Sequence, residues 1–290
     1  MNRYIALKTI LEYGSFSRAA EALGYTQPAV SKMIASLEAE LGVSLVERSR
    51  SGVALTDEGK AVYPMIEQLL LDRMRIKEKA EEVRGLETGT LRIASIASVA
   101  AQWLPDILSG FTAQYPKIRI QLRVGNYHDM LDLIQTGLAD LAISSVEVGG
   151  PYRTEPLCDG RMLLVLPKGH RLAALETVPL EALKEEPSIL LEHIEYYEPL
   201  GALADLGIYT DLPVDIQNDD QVLMAMVEKG LGISILSELA LQRTPYDLEI
   251  RPTEPAIWRH IGAIYKDKNA LPVAARRFLE FLKEKIDMLP

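Results

Sequence analysis

The sequence of 290 residues predicts an α/β protein that begins with a small, mainly helical domain. Three observations support this prediction. Residues 15–40 form two short helical patterns joined by a tight polar turn, and residues 62–83 carry an apolar stripe at helical spacing. From residue 91 onward, strand and helix patterns alternate, as is typical of an α/β fold. These changes of pattern along one chain indicate separate structural units.

Capping residues and spacing predict the first pair of helices. Ser17 is placed to cap the first of them, and Gly24 is placed to end it in the left-handed conformation. Thr26 is placed to cap the second, and Pro28 suits its first turn because no backbone donor is needed there. Such a pair, over about residues 17–37, predicts a helix-turn-helix.

The second helix has one face that a protein core would not use. Its buried side is marked by an apolar stripe of Val30, Met33, Ile34, Leu37 and Leu41. The opposite side is small and polar with one cation, and it begins with Gln27, Pro28, Ser31 and Lys32. Short side chains with hydrogen-bonding groups suit close approach to the major groove of DNA. A solvated helix surface is the alternative that the pattern leaves open.

Two short strand patterns follow over residues 43–56, and Arg48 and Arg50 lie near the turn between them. A basic hairpin beside a helix-turn-helix is a wing, placed to contact phosphates or the minor groove. The whole run resembles the winged helix-turn-helix of the LysR-type transcriptional regulators. The matching residues are Gly14 to Ser17, Ala19, Ala20, Leu23, Thr26 to Ser31, Ile34, Leu37, Glu38, Leu41, Gly42, Leu45, Arg48, Leu55, Thr56 and Gly59. Val46 departs from the family, which usually has Phe there, and should thin the packing under the wing.

Composition and charge are compatible with this resemblance. The chain is 48% hydrophobic and 25% charged, as in ordinary globular proteins. No run of about 18 apolar residues and no signal peptide is present, and the single Cys158 cannot form an internal disulfide, so we expect a cytoplasmic protein. The net charge is −10, but residues 1–60 carry seven Lys and Arg against seven Asp and Glu. DNA affinity must therefore come from placed cations, and from two linked domains acting together.

Residues 56–83 predict a long helix that is capped by Thr56. Its apolar positions are spaced by about four and three residues, with Arg73 as the one interruption: Val62, Ile66, Leu69, Leu70, Met74, Ile76, Ala80 and Val83. This stripe predicts a coiled-coil-like dimer seam, and the alternative is a helix packed on its own chain. The resemblance implies the family's linker helix, followed by a hinge over residues 84–90.

The remainder alternates strand and helix patterns. Strands are predicted at residues 91–96, 118–124, 141–143, 162–166, 189–191, 214–216 and 233–236, and helices at 103–115, 130–136, 221–228 and 273–286. Residues 137–143 and 227–233 resemble signatures of the family's effector domain, which is similar to periplasmic binding proteins and has two α/β lobes around a cleft. The implied domains are a winged helix-turn-helix at 1–58, a linker helix and hinge at 59–89, and an effector domain at 90–290. Lobe one would take 90–161 and 265–290, and lobe two 162–264.

Candidate ligand contacts follow from the rule that open α/β sheets bind ligands at the carboxyl ends of strands. The candidates are Ser98, Val99, Asn126, Glu192, His193 and Asp219. Each polar candidate has an alternative: Ser98 could only cap a helix, Asn126 could serve a turn, and the acidic residues could be solvated surface. Acidic residues lining the cleft would favour an amine or a zwitterion over a purely anionic effector.

The sequence thus predicts a DNA-binding transcriptional regulator that a small-molecule effector modulates. A small-molecule-binding module without a role at DNA is the alternative. An enzyme is disfavoured because no nucleophile elbow, phosphate-binding loop or dinucleotide fingerprint is present. No cofactor is expected, and the four histidines have no helix-spaced metal partner. Cys158 is interpreted as a small buried hydrophobe rather than a redox sensor. The expected partners are double-stranded DNA with a dyad-symmetric site, the effector, a second copy or three further copies of the chain, and RNA polymerase.

Overall fold

A computed structural model describes residues 1–49, 52–84, 88–187, 198–205 and 219–286. The chain forms two compact units, residues 1–80 and residues 81–290, and each is described by itself. The N-terminal unit is mainly helical and the C-terminal unit is α/β, so the predicted fold class is confirmed.

The N-terminal unit contains a three-helix cluster followed by a hairpin and a long helix. Its elements are α1 (Asn2–Tyr13), α2 (Phe16–Leu23), α3 (Gln27–Leu41), β1 (Val46–Ser49), β2 (Gly52–Leu55) and the start of α4 (Asp57–Val83). Strands β1 and β2 pair antiparallel, as the wing prediction requires. One apolar core holds the unit together, and its fully buried members include Leu7, Ile10, Ala19, Val30, Leu37 and Leu45.

The helix starts are capped somewhat differently from the prediction. Ser15, and not Ser17, caps α2, because its side chain accepts a hydrogen bond from the backbone N–H of Arg18 at 3.4 Å. Thr26 occupies the cap position of α3, but its hydroxyl makes no capping hydrogen bond. Gly24 ends α2 at φ 69°, a left-handed conformation that glycine adopts without steric cost.

The wing is fastened to the helices by two features that the resemblance had singled out only as matching positions. Glu38, near the end of α3, accepts hydrogen bonds from the backbone N–H groups of Leu45 at 2.7 Å and Val46 at 3.3 Å. Gly59, in the first turn of α4, packs so closely under the wing that any β-carbon there would collide with the carbonyl oxygen of Leu45. Both residues therefore fix where the hairpin leaves the helical cluster.

Helix α4 spans 27 residues and contains Pro64 without ending there. Thr56 caps it as predicted, since its hydroxyl accepts a hydrogen bond from the backbone N–H of Gly59 at 2.9 Å. The predicted apolar stripe divides into two parts. Ile66 and Leu70 are buried in the N-terminal core, whereas Leu69, Ile76 and Val83 are 41%, 72% and 79% exposed.

The C-terminal unit is built around one curled sheet with helices packed on it. Its strands are β3 (Gly89–Ser95), β4 (Ile118–Val124), β5 (Leu141–Ser145), β6 (Arg153–Pro167), β7 (Val178–Pro179), β8 (Ser234–Ser237), β9 (Leu248–Arg251), β10 (Thr253–Glu254) and β11 (Ile257–Tyr265). Its helices are α5 (Ala97–Gln102), α6 (Leu104–Gln114), α7 (Tyr127–Gln135), α8 (Glu198–Asp205), α9 (Asp220–Glu228), α10 (Glu238–Leu241) and α11 (Val273–Lys285).

Seven described strands form the sheet in the order β4-β3-β5-β11-β6-β8, with β9 also paired to β6. Strands β3, β4 and β5 are parallel, whereas β11 is antiparallel to β5 and to β6. Strand β6 pairs with β11 along its first part and with β8 and β9 at its end. It therefore links the parallel strands, through β11, to the strands that follow along the chain.

Strands β7, β9, β10 and β11 were not predicted, and β6 is longer than predicted. Strand β6 covers 15 residues, where only 162–166 were predicted, because its first part is polar on the exposed face. Strand β11 escaped prediction because its buried face carries Arg259 and its exposed face carries Trp258. The sequence therefore does not show the usual alternation of apolar buried and polar exposed residues there. The strands predicted at 189–191 and 214–216 lie outside the described residues.

A buried ion pair accounts for one of the family signatures. Asp140, in the segment 137–143, accepts a hydrogen bond from the backbone N–H of Arg92 at 3.0 Å, and its Oδ2 lies 3.6 Å from the Arg92 guanidinium. Both side chains are almost completely buried. Because a buried charge needs a partner, the acidic residue of this signature secures β3 beside β5.

Candidate nucleic-acid interface and ligand site

The predicted DNA-facing residues lie at the start of α3, on the side that the N-terminal core leaves uncovered. Thr26, Pro28 and Lys32 are exposed, while Gln27 and Ser31 are partly exposed. Of the predicted buried stripe, Val30, Ile34 and Leu37 are buried. Met33 is only partly buried, and Leu41 is 37% exposed because it is the last residue of α3. The first turn of α3 contains no acidic residue, so the positive end of its dipole is not neutralised locally.

The cations of the N-terminal unit differ in whether a carboxylate neutralises them. Three are paired: Arg3 with Glu40 at 2.6 Å, Lys8 with Glu12 at 3.8 Å and Lys60 with Asp57 at 2.8 Å. Lys32 and Arg18 form no ion pair among the described residues, and both are exposed. The neutral total charge of residues 1–60 therefore conceals two cations that are available to a polyanion.

Arg18 was not among the predicted contacts. It lies in α2, and sequence spacing could not show that its guanidinium stays without a carboxylate partner in the described structure. Arg48 lies in β1, but its side chain is outside the described part of the wing, and Arg50 lies outside the described residues altogether. Their predicted phosphate contacts stay predictions.

The ligand-site candidates are less uniform in their surroundings. Ser98 lies in the first turn of α5 just after β3, is buried, and accepts a hydrogen bond from Nη2 of Arg259 at 3.2 Å. Val99 is completely buried in the core, so its side chain serves packing and only its backbone can face a ligand. Glu192 and His193 lie outside the described residues.

Asn126 and Asp219 both act on helix ends. Asn126 accepts a hydrogen bond from the backbone N–H of Asp129 at 2.9 Å, and the Asp129 carboxylate accepts one from the backbone N–H of Asn126 at 2.7 Å. This is a complete capping box at the start of α7. Asp219 caps α9 by accepting from the backbone N–H groups of Gln221 at 3.0 Å and Val222 at 3.1 Å. Both side chains therefore hold helix starts: this agrees with the local role considered for Asn126, whereas Asp219 caps a helix in place of the solvated surface role considered for it.

Arg259 is the residue that the prediction missed. Its side chain leaves the buried face of β11, is only 6% exposed, and its Nε has no hydrogen-bond partner among the described residues. Asp220, in the first turn of α9, lies within its electrostatic range. Burial raises the pKa of Asp220, the charge of Arg259 lowers it, and Asp219 raises it again. The only usable signal in the sequence was an arginine in an otherwise apolar alternation over 257–264.

Cys158 lies on β6 next to this arginine but is not activated by it. Burial raises the pKa of the Cys158 thiol, and Asp159 raises it further, while Arg259 acts in the opposite direction. In the part of the chain that the structure describes, no group of three or more His, Cys, Asp or Glu residues is arranged to hold a metal ion. No helix among the described ranges has the length and apolarity needed to cross a membrane.

The two units correspond to two known domain families. Residues 1–60 match the family described as "Bacterial regulatory helix-turn-helix protein, lysR family", and residues 84–287 match "LysR substrate binding domain". The "Uncharacterized HTH-type transcriptional regulator YvbU" of Bacillus subtilis (strain 168) is 31% identical over 283 residues, which is 95% of this chain and 94% of that protein. The "DNA-binding transcriptional dual regulator OxyR" of Escherichia coli (strain K12) is 28% identical over 287 residues, covering 97% and 94%.

Solved structures share the same fold. Full-length CbnR in complex with its target DNA superposes with a TM-score of 0.73 at 20% identity, covering 98% of both chains. HinK, a LysR family regulator from Pseudomonas aeruginosa, gives a TM-score of 0.60 at 25% identity, again over 98% of both chains. These two domain matches, in this order and over nearly the whole chain, show that the protein belongs to the LysR family of bacterial transcriptional regulators, with a helix-turn-helix DNA-binding domain followed by an effector-binding domain.

Proposed function

We propose that the N-terminal unit binds a dyad-symmetric site on double-stranded DNA by placing the start of α3 in the major groove. The observation that carries this proposal is the pair of exposed, unpaired cations, Lys32 and Arg18, around an otherwise small and polar helix end. Lys32 and Arg18 hold phosphates, as do the predicted wing residues Arg48 and Arg50. Base edges are approached by Thr26, Gln27, Pro28 and Ser31.

Pairing of two such units is proposed to run through α4. The apolar side chains Leu69, Ile76 and Val83 lie on one stripe and are all exposed in the described monomer. Burying them against the same stripe of a second copy gives a homodimer, and two dimers give a homotetramer. Two α3 helices then face two half-sites related by a dyad.

The C-terminal unit is proposed to transmit an effector signal to the DNA-binding units. In this proposal, residues 1–58 bind DNA, residues 59–89 connect and pair the subunits, and residues 90–290 bind the effector. Effector binding between lobe one (90–161 and 265–290) and lobe two (162–264) shifts the population of lobe arrangements. That shift alters the angle between paired subunits, the bend of the DNA and the access of RNA polymerase. The protein acts without catalysis, in the cytoplasm where the bacterial chromosome lies.

Ser98 is the best supported effector contact, since its hydroxyl lies beside a buried guanidinium. Asn126 and Asp219 contribute through the helices that they cap. Glu192 and His193 stay candidates from the sequence. We expect a bulky residue at Ser98 to leave basal DNA binding intact and to abolish the effector response.

Fluorescence anisotropy with a labelled duplex from upstream of the protein's own gene tests the DNA-binding part. We expect saturable binding that is weaker at higher salt, together with protection of two half-sites in a footprint. The test variant is the Lys32→Ala, Arg18→Ala double variant, which should bind this duplex much more weakly than the native protein. Equal binding by the double variant and the native protein would refute the proposed interface.

A further inference from the structure

The guanidinium of Arg259 is a buried cation without an anionic partner. It is 6% exposed, its one side-chain hydrogen bond in the described structure goes to a neutral hydroxyl, and its Nε has no partner. A charge removed from water normally requires a counter-charge, because its lost hydration is otherwise uncompensated. The described residues supply none within ion-pair distance.

No side chain stands opposite Arg259 on the neighbouring strand. Its cross-strand neighbour on β6 is Gly160, so no side chain from that position occupies the same face of the sheet. The flanking pairs on this face, Ile257 with Met162 and Ile261 with Cys158, are apolar or weakly polar. Apolar neighbours lower the local dielectric constant, so a charge-assisted hydrogen bond to this guanidinium is stronger than it would be in water.

Ser98 complements this cation. Its Oγ accepts from Arg259 Nη2 at 3.2 Å, and its own hydroxyl hydrogen has no acceptor among the described residues. The hydroxyl can therefore donate to an oxygen that already faces the guanidinium. One oxyanion group would satisfy both the unpartnered Nε–H and the serine hydroxyl.

The single charge of Arg259 limits the charge that such a group can carry. One guanidinium balances one negative charge, so a singly charged carboxylate is compensated, whereas a phosphate or sulfate dianion would keep a buried negative charge without a partner. Asp220 does not form an ion pair with Arg259 in the described structure, and burial raises the pKa of its carboxyl group.

We infer that the effector is a small monoanionic carboxylate whose carboxyl group binds Arg259 and the hydroxyl of Ser98. This inference rests on the proposed function, in which an effector occupies the C-terminal unit. It replaces the amine or zwitterion that acidic residues lining the cleft would favour. The expectation of an amine or zwitterion did not include the positive charge of Arg259, which attracts a carboxylate.

The test uses the full chain and four probes of similar size at constant ionic strength. Propionate is the carboxylate, propionamide its neutral isostere, alanine adds an ammonium group, and sulfate is the dianion. Binding is measured by the shift of the thermal unfolding midpoint with probe concentration. We expect a saturable upward shift with propionate and a much smaller one with the other three.

Variants separate the site from general charge effects. Arg259→Met should weaken propionate binding at least tenfold, and Ser98→Ala should weaken it less. The matched control is Arg161→Met, because Arg161 lies on the exposed face of β6, 5.3 Å from the ring centre of Trp258, and carries the same charge. Asp220→Asn should tighten propionate binding, because it removes the carboxyl group on which the charge of Arg259 otherwise acts, and a variant with damaged folding would not show this gain.

The outcomes that overturn the inference are distinct from those that overturn the proposed function. Equal propionate shifts in the native protein and in Arg259→Met would refute the carboxylate site. Tighter binding of alanine than of propionate, abolished by Asp220→Asn, would replace the monoanion with a zwitterion. Native protein that binds its upstream DNA but no carboxylate refutes this inference alone, whereas failure to bind DNA refutes the proposed function.

Discussion

At the residue scale, the chemistry of this protein depends on which charges are paired. Within the N-terminal unit, Arg3, Lys8 and Lys60 are neutralised by neighbouring carboxylates, whereas Lys32 and Arg18 are not. In the C-terminal unit, Arg92 is paired with Asp140, whereas Arg259 forms no ion pair with any residue that the structure describes. The buried pair Arg92–Asp140 contributes to the fold, the exposed pairs add little, and the cations without a described partner are the ones proposed to meet ligands.

The role of Lys32 can be measured from the salt dependence of DNA binding. Lys32→Ala should weaken binding to all sequences and lower the slope of log affinity against log salt by about one, since one phosphate contact is lost. Lys8→Ala is the control, because it removes the same charge from a residue already paired with Glu12 at 3.8 Å. Identical slopes for the two variants would show that Lys32 does not contact phosphate.

The buried pair in the C-terminal unit predicts a large stability effect. Asp140→Ala leaves the guanidinium of Arg92 buried without its carboxylate, and should lower the free energy of unfolding by roughly 3–5 kcal/mol. Asp247→Ala is the control, because its partner Lys168 is exposed and such pairs add little. Denaturant titration of both variants measures the difference, and comparable midpoints would argue against a structural role for Asp140.

At the scale of elements, the hairpin and α4 depend on contacts from neighbouring segments. Glu38 holds the wing by accepting two backbone hydrogen bonds at its base. Glu38→Ala leaves partly buried N–H groups without an acceptor and should destabilise the N-terminal unit by about 1–3 kcal/mol. Thermal unfolding monitored with and without DNA checks this, and a native-like midpoint in both conditions would show that the wing is held by other contacts.

The exposed stripe of α4 predicts how the protein associates. Ile76→Glu places a charge in the proposed seam and should shift the protein from dimer towards monomer in sedimentation velocity experiments. Lys77→Glu introduces a glutamate about 100° further around the helix, away from the stripe, and should leave association unchanged. A native-like mass for Ile76→Glu would place the dimer interface elsewhere.

At the scale of the whole molecule, the proposed dimer brings two DNA-binding units without net charge to one DNA site. Because residues 1–60 have no net charge, one unit alone gains little from non-specific attraction. We expect a duplex carrying a single half-site to bind at least a hundredfold more weakly than the full dyad-symmetric site, since the second contact is intramolecular. Titration of both duplexes by anisotropy measures the ratio, and equal affinities would indicate that a single unit suffices.

The sequence by itself determined the order of the two units, the helix-turn-helix, the long helix and most parallel strands. These elements follow from local patterns: capping residues, glycine at Gly24, and apolar spacings of 3.6 or two residues. The exposed residues of α3 were predictable for the same reason, because one periodic helix shows which of its faces is buried. Within the helical elements, local signals misplaced one cap, since Ser15 and not Ser17 caps α2.

Only the tertiary structure decided which charges have no partner among the described residues, and that Arg259 lies beside Ser98. Strand β11 was hidden because Arg259 occupies a buried position where an apolar residue is expected. The hydrogen bond between Arg259 and Ser98 joins residues 161 positions apart, and no spacing rule reaches that far. Periodicity reports which face of an element is buried, but pairing of charges depends on distances between elements, and these exist only after folding.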